Sequence, residues 1–268
     1  MFDINTKKRI VVKVGTSTLT HKTGRMNIRR MEKLVKVLSD IQNSGKEIIL
    51  VSSGAVGLGM SKMHLPERPK ETSMKQACAA VGQCELMYMY DKLFGEYNLT
   101  VAQILLTRNV LDTPRKNNVE NTFERLIAHN VIPVVNENDT VAIDELELEF
   151  GENDSLAAHV GIFSHADMLI IMSDIDGLYD SNPKDNPDAK LISEVHEIND
   201  DIRALAGGAG SALGTGGMAT KISAAKMVTD AGIDMIIMNG KDPEKLYDLF
   251  DNKEVGTVFL AKNYSDKS

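Results

Sequence analysis

The sequence predicts an α/β protein: a three-layer αβα sandwich whose mostly parallel open sheet is covered by helices on both faces. Short apolar runs alternate with segments of helical spacing along nearly the whole chain. Polar residues and glycines gather where the apolar runs end. The 268 residues can bury such a core as one large domain or two lobes. We expect an N-terminal lobe over residues 1–165 and a C-terminal lobe over 166–268, with a loop rich in Pro, Asn and Asp at 181–188.

The first elements already define the topology. Residues 9–14 form a buried apolar run that ends at Lys13 and Val14, and apolar residues then recur at helical spacing over 28–41 until Gly45. A second apolar run follows at 47–51. Strand, helix and strand in this order predict a right-handed parallel crossover.

The same alternation continues to the end of the chain. We expect helices over residues 73–97, 117–129, 154–164 and 218–231, and strands over residues 101–105, 131–135, 168–172 and 234–238. The acidic run at 144–149 alternates as an exposed hairpin would, and the glycine-rich segment at 207–217 reads as flexible.

Composition and charge exclude several classes of function. The net charge of −8 argues against a general nucleic-acid surface. No apolar run approaches the roughly 20 residues that span a bilayer, and the N-terminus lacks a signal-peptide pattern. Cys78 and Cys84 lie six residues apart in an expected helix and point to different faces, so they predict neither a metal pair nor a disulfide. A reducing cytoplasm is the simplest location.

A glycine turn leads directly into the expected helix at 218–231. Gly216 and Gly217 leave backbone N–H groups uncovered, and the helix N-terminus would direct its positive end to the same point, where Lys221 adds a full charge. Lys13 precedes a second glycine turn at Gly15. Together these features predict a phosphate-handling cleft. The 214–221 segment alone could equally be a flexible loop; it is not a Walker A motif, and its match to a dinucleotide-binding pattern lacks a preceding strand.

Polar residues follow several of the expected strands, and ligands of open α/β sheets bind beyond the carboxyl ends of the strands. The residues at these ends, with the start of one helix, are Lys13, Gly15, Thr16, Ser52, Ser53, Gly54, residues 136–139, Asn153, Asp154, Ser173 and Asp174. Taken singly, the glycines could be turn residues and Asp154 a helix N-cap. Their recurrence at strand ends favours one shared site. The six histidines show no metal spacing and no nucleophile motif.

Six segments together carry a family resemblance: residues 12–17, 51–55, 133–139, 151–154, 173–179 and 214–221. With these motifs the chain resembles the amino acid kinase family over about residues 9–260, and within it the branch that acts on L-glutamate. The resemblance implies an amino acid kinase-like fold and ATP-dependent phosphorylation, with Mg²⁺, of the glutamate side-chain carboxylate. That reaction is the first step of proline biosynthesis and is commonly restrained by proline. The resemblance also implies a homo-oligomer, a tetramer or a dimer, and we expect no C-terminal PUA domain in a chain of this length.

The resemblance also implies roles for individual residues. Lys13 and Lys221 would flank the transferring phosphoryl group, and Asp154 would hold both lysines. The residues implied for glutamate are Ser53, Gly54, Asp139 and Asn153, with Asp139 facing its ammonium group. Those implied for the nucleotide are Lys13, Gly15, Ser173, Asp174, Thr215, Gly216, Gly217, Met218, Ala219, Thr220 and Lys221. The family often has Thr at the position of Ser173, which keeps the hydroxyl. No protein metal site is expected, because the phosphates of ATP would hold Mg²⁺.

This reaction suits the residues present. A glutamate carboxylate, with a solution pKa near 4.3, is ionised at neutral pH and needs no general base. The obstacle is repulsion between two anions, which lysines, Mg²⁺ and backbone amides can offset. Three alternatives stay open: a kinase of the same fold acting on carbamate, N-acetylglutamate, aspartate or a nucleoside monophosphate; a non-catalytic nucleotide or amino-acid sensor; and, with less support, a dinucleotide oxidoreductase.

Overall fold

The computed structural model describes residues 2–21, 23–107, 115–141, 153–183, 185–206 and 217–262. A single turn of 3₁₀ helix, Ile4–Thr6, precedes the first strand. The strands are β1 Arg9–Val14, β2 Glu47–Ser52, β3 Thr100–Leu106, β4 Val131–Glu137, β5 Met168–Ser173, β6 Glu194–Val195, β7 Asp234–Asn239 and β8 Thr257–Phe259. The helices are α1 Thr16–Leu19, α2 Ile28–Asn43, α3 Ala55–Lys62, α4 Thr72–Gly95, α5 Arg115–Ala128, α6 Asn153–Phe163, α7 Asp200–Leu205, α8 Met218–Asp230 and α9 Lys245–Phe250.

The described strands form one eight-stranded sheet in the order β3-β4-β2-β1-β5-β7-β8-β6. From β3 to β7 every neighbouring pair is parallel. Strand β8 is antiparallel to β7, and β6 is parallel to β8. The predicted open, mostly parallel sheet is therefore confirmed. Residues before 166 supply the four strands on one side of the β1–β5 boundary, and later residues supply the other four.

Two apolar cores lie on opposite faces of the sheet. One joins α2, α4 and α9 to alternate residues of β1, namely Ile10, Val12 and Val14. The other joins α6 and α8 to the intervening residue Val11. Side chains alternate between the faces of a strand, so Lys13 lies on the same face as Val11, towards α6 and α8. Its neighbours in register, Val51 and Ile171, belong to that second core.

The regular elements lie where the sequence predicts them, with ends shifted by up to two residues, and the short elements α1, α3, α7, α9, β6 and β8 were not predicted. In α3 the apolar period is interrupted by Gly57 and Gly59. At Gly59 a Cβ would lie 1.8 Å from the Cys78 carbonyl oxygen of α4, so that contact leaves no space for a larger side chain. Cys78 is buried and Cys84 exposed, and both are free thiols. The expected hairpin at 144–149 and residues 207–216 of the glycine-rich segment lie outside the described residues.

Candidate active site

A buried carboxylate with two ammonium groups forms the centre of the candidate site. Lys13 Nζ lies 2.6 Å from Asp154 Oδ1, a charge contact whose angle is not that of a hydrogen bond. Lys221 Nζ donates to Asp154 Oδ2 at 3.0 Å, and Thr220 Oγ1 donates to the same oxygen at 3.3 Å. Asp154 is fully buried, while Lys13 and Lys221 are 8% and 6% exposed. Three predicted residues, far apart in sequence, therefore meet at one point.

The fold explains why these three side chains meet. Lys13 is the penultimate residue of β1, at its carboxyl end. Asp154 is the second residue of α6, and Lys221 is the fourth residue of α8. Helix α6 packs against both β1 and α8 on this face of the sheet. Asp154 lies within the first turn of α6, and its carboxylate contacts two lysines. The alternative interpretation of Asp154 as a helix N-cap is therefore not needed to explain the residue.

The electrostatic balance of the cluster follows from these contacts. Burial by itself raises the pKa of the Asp154 carboxyl, but the charges of Lys13 and Lys221, together with the hydrogen bond from Lys221, outweigh it and hold that pKa below its ordinary value. The carboxylate is therefore ionised at neutral pH. Two cations and one anion leave a net charge of +1 at the cluster, which can attract an incoming phosphate.

Two glycine turns border the cluster. Gly15 follows β1 and lies next to the ammonium group, since a Cβ at this position would be 3.8 Å from Lys13 Nζ, an ordinary van der Waals contact. Gly54 precedes α3 with φ of 106°, a left-handed conformation that favours glycine. The two turns are joined, since Ser53 N–H donates to the Val14 carbonyl at 3.1 Å.

A polar network extends from Asp154 to its neighbour in the chain. The amide nitrogen of Asn153 donates to Ser53 Oγ at 2.7 Å, to Asn136 Oδ1 at 3.1 Å and to the Ser52 carbonyl at 3.2 Å. Asn136 in turn donates to Gln83 Oε1 at 2.9 Å. The predicted Ser53 and Asn153 are thus in direct contact. Gln83 was not predicted, because a glutamine inside a long helix carries no sequence signal.

Asp139 borders a cavity of about 400 Å³ beside this network. The cavity lies between α4, β3 and the loop that follows β4, and Gln83 lines it on the α4 side. Asp139 is half-buried. The structure therefore places this predicted residue on the same cavity as Gln83, at the Asn136–Gln83 end of the network.

The predicted nucleotide residues lie at the ends of β5 and α8. Ser173 ends β5, and its hydroxyl donates to Asp174 Oδ1 at 3.2 Å. Gly217 precedes α8, whose first residues are Met218, Ala219 and Thr220. Two predicted residues, Thr215 and Gly216, lie outside the described residues.

The described ranges contain neither a cluster of metal ligands nor a helix suited to span a membrane. Within the described ranges, no three His, Cys, Asp or Glu side chains are grouped as a metal site requires. None of the helices in this part of the chain is both long and apolar enough to cross a bilayer.

The chain is similar to known proteins over most of its length. The model of the amino acid kinase family matches residues 8–239. The glutamate 5-kinase of Clostridium perfringens (strain 13 / Type A) is 57% identical over 258 residues, covering 95% of this chain and 96% of that protein. The glutamate 5-kinase of Listeria innocua serovar 6a is 52% identical over 262 residues, covering 97% of this chain and 95% of that protein.

Solved structures share the fold at low sequence identity. The UMP kinase of Ureaplasma parvum superposes with a TM-score of 0.65 at 14% identity, covering 95% of this chain and 99% of that one. The isopentenyl phosphate kinase of T. acidophilum superposes with a TM-score of 0.61 at 19% identity, covering 94% of this chain and 100% of that one. The shared fold alone does not show which substrate a kinase of this architecture phosphorylates.

Proposed function

The chain belongs to the amino acid kinase family, and from that membership we propose that Lys13, Asp154 and Lys221 form its phosphoryl-transfer centre. The reaction is the ATP-dependent phosphorylation of the γ-carboxylate of L-glutamate, the first step of proline biosynthesis. One observation carries the assignment of the centre. Ammonium groups from the two halves of the chain meet on one buried carboxylate at 2.6 and 3.0 Å.

The chemistry requires charge neutralisation more than proton transfer. The glutamate carboxylate is ionised at neutral pH, so it attacks the γ-phosphoryl group without a general base. Both reactants are anions, and charge builds on the phosphoryl oxygens during transfer. Lys13 and Lys221 supply two positive charges at that point, and Asp154 fixes their positions in advance.

Glutamate would bind on the N-terminal half of the site. Ser53 and Asn153 offer a hydroxyl and an amide group, and the turn at Gly54 offers backbone N–H groups. Asp139 would face the substrate ammonium group across the adjoining cavity. This division supports residues 1–165 as the glutamate-binding lobe.

ATP would bind on the C-terminal half, residues 166–268. The N-terminus of α8, from Gly217 to Thr220, directs backbone N–H groups and a positive dipole end towards the cluster. Thr215 and Gly216 would extend this phosphate cradle in sequence. Ser173 and Asp174 at the end of β5 would contact the nucleotide beside it.

Mg²⁺ fits this site as a companion of ATP. The carboxylate at the centre, Asp154, already contacts two ammonium groups, so it is poorly suited to a further cation. Mg²⁺ would therefore be held mainly by the nucleotide phosphates. When bound, it neutralises part of the phosphate charge.

Assembly, regulation and location belong to the same proposal. A homo-oligomer is supported by apolar side chains exposed on or just after α4, namely Met74, Tyr88 and Tyr97, and by β3, which is an edge strand among the strands that the structure describes. Restraint by proline follows from the family resemblance alone. The two free cysteines fit a reducing cytoplasm.

A trapping assay tests the reaction. The purified chain is incubated with Mg-ATP, hydroxylamine and one acceptor at a time: glutamate, aspartate, N-acetylglutamate, carbamate or a nucleoside monophosphate. Glutamate should give a hydroxamate and one ADP per trapped product. Turnover with a different acceptor would assign another substrate, and nucleotide binding without turnover would support the sensor alternative.

A further inference from the structure

A chain of three amide side chains, two buried and one half-buried, connects α4 to the proposed glutamate-binding residues. Gln83 lies on α4, Asn136 on β4 and Asn153 at the start of α6. Gln83 and Asn136 are 8% and 3% exposed. Gln83 has no assigned role in the reaction, and its partners make it a component of the site rather than of the apolar core.

The hydrogen-bond direction of this chain is fixed at one end. The Ser52 carbonyl only accepts hydrogen bonds, so the group of Asn153 that faces it, at 3.2 Å, is the NH₂ group. The same NH₂ group faces Asn136 at 3.1 Å, so Asn136 presents its oxygen there. Asn136 must then direct its own NH₂ group towards Gln83, which has to supply an oxygen, at 2.9 Å.

Turning any one of these amides around would bring two NH₂ groups, or two oxygens, against each other. Gln83 is therefore the terminal acceptor that holds Asn136 in place. In this orientation of the Gln83 amide, Nε2 is buried without a hydrogen-bond partner among the described residues. Burying an unpaired donor lowers the stability of the fold. The acceptor role of Oε1 accounts for that orientation.

The direction of the chain determines what the site offers a ligand. Asn153 donates to Ser53 Oγ at 2.7 Å, so the hydroxyl hydrogen of Ser53 is available to an anion. Asn153 Oδ1 accepts no hydrogen bond from any residue that the structure describes, so it is available to a donor. A donor beside an acceptor matches the carboxylate and ammonium groups of an amino acid.

We infer that Gln83 is a positioning residue for glutamate: it fixes Asn136 and Asn153 so that Ser53 presents a donor and Asn153 an acceptor. The inference rests on the proposed function, because it takes Ser53 and Asn153 to be the groups that bind glutamate. Gln83 acts through Asn136 and does not contact the reacting atoms.

Two variants at position 83 test whether the acceptor oxygen of the side chain is what matters. Gln83→Met keeps the length but removes the acceptor, so the KM for glutamate should rise about tenfold, equivalent to about 1.4 kcal/mol. The KM for ATP should stay within about twofold. Gln83→Glu keeps an acceptor oxygen and should hold the KM for glutamate within about threefold of the wild type.

Gln42 provides a matched control. It is 7% exposed, donates to Asn130 Oδ1 and accepts from Ile48 N–H near the start of β2, at the opposite end of the strands. Gln42→Met should lower the melting temperature without changing the KM for glutamate. A purely structural role for Gln83 would make the two Met variants behave alike.

The outcomes are distinct. A normal KM for glutamate in Gln83→Met, or an equal rise in Gln83→Glu and Gln83→Met, would overturn the inference. If Gln83→Met does not fold, Gln83→Ala, which opens onto the neighbouring cavity, carries the same comparison. Absence of glutamyl hydroxamate from the wild type would instead refute the proposed function.

Discussion

Replacing Asp154 by Asn tests the charge cluster by removing one charge and almost no volume. The two lysines that contact this fully buried carboxylate would keep their own charges in a largely buried site. Breaking a buried ion pair costs about 3–5 kcal/mol, and here one carboxylate serves two cations. At about 2–4 °C per kcal/mol for a chain of this size, the melting temperature should fall on the order of 10 °C.

Calorimetry with and without nucleotide makes the test specific. Phosphate charge should partly replace the missing carboxylate, so saturating Mg-ATP should raise the melting temperature of Asp154→Asn more than that of the wild type. Turnover should fall about 100-fold, since both lysines lose their fixed positions. The control is Asp248→Asn, which breaks an exposed pair with Lys253 and should leave the melting temperature nearly unchanged. Wild-type stability in Asp154→Asn would refute the reasoning.

The stability difference between the wild type and Asp154→Asn should depend on pH in a defined direction. Burial raises the pKa of Asp154 but the lysines outweigh it, so the folded-state pKa lies below the unfolded value. The stabilisation by this carboxylate is therefore fully present above about pH 4 and is lost as pH falls through the folded-state pKa. In urea titrations, the stability gap between wild type and Asp154→Asn should close on acidification. A gap that widens towards low pH would contradict this.

Three further substitutions address separate parts of the account. Lys221→Ala should lower kcat by about 10²–10³, whereas Lys226→Ala on the same helix should leave kcat unchanged; equal kcat values for the two would remove Lys221 from the centre. Asp139→Asn should raise the KM for glutamate at least about tenfold at constant KM for ATP, and steady-state kinetics with unchanged KM would exclude its ammonium contact. Gly82→Ala would place a Cβ 1.8 Å from the Ala55 carbonyl oxygen and should cost about 3 kcal/mol or more. Gly95→Ala, with nothing within 4 Å, should be neutral in chemical denaturation, and equal losses would contradict the packing argument.

The sheet and the centre were predictable to different degrees. The apolar run of β1 is visible in the sequence. Polar residues at strand ends and glycine turns before helices predicted that Lys13, Asp154 and Lys221 lie at one shared site. The contact of Asp154 with both lysines was implied by the family resemblance alone, because it joins residues that only the packing of α6 on β1 and α8 brings together. The residue pattern therefore predicted a shared site, whereas the burial of Asp154, Lys13 and Lys221 is visible only in the structure.

The remaining differences have physical causes. Helix α3 was missed because its close contact with the α4 backbone requires glycine at position 59, where a Cβ would lie 1.8 Å from a backbone oxygen. Gly82 on α4 makes the reciprocal contact with α3 at the same distance. Gly54 could be read as an ordinary turn, and its φ of 106° explains why glycine is favoured there. The role of Gln83 depends on which end of each amide faces its neighbour, which only three-dimensional contacts determine.

The central claim is that Lys13 and Lys221 act on the same phosphoryl group. A crystal structure of the chain with Mg²⁺, ADP, aluminium fluoride and glutamate tests it most directly, since the fluoride stands in for the transferring group. Both Nζ atoms should lie about 3 Å from fluoride ligands of that one group, with Asp154 still between the lysines. A fluoride group contacted by neither lysine, or by one alone while the other faces elsewhere, would contradict the account.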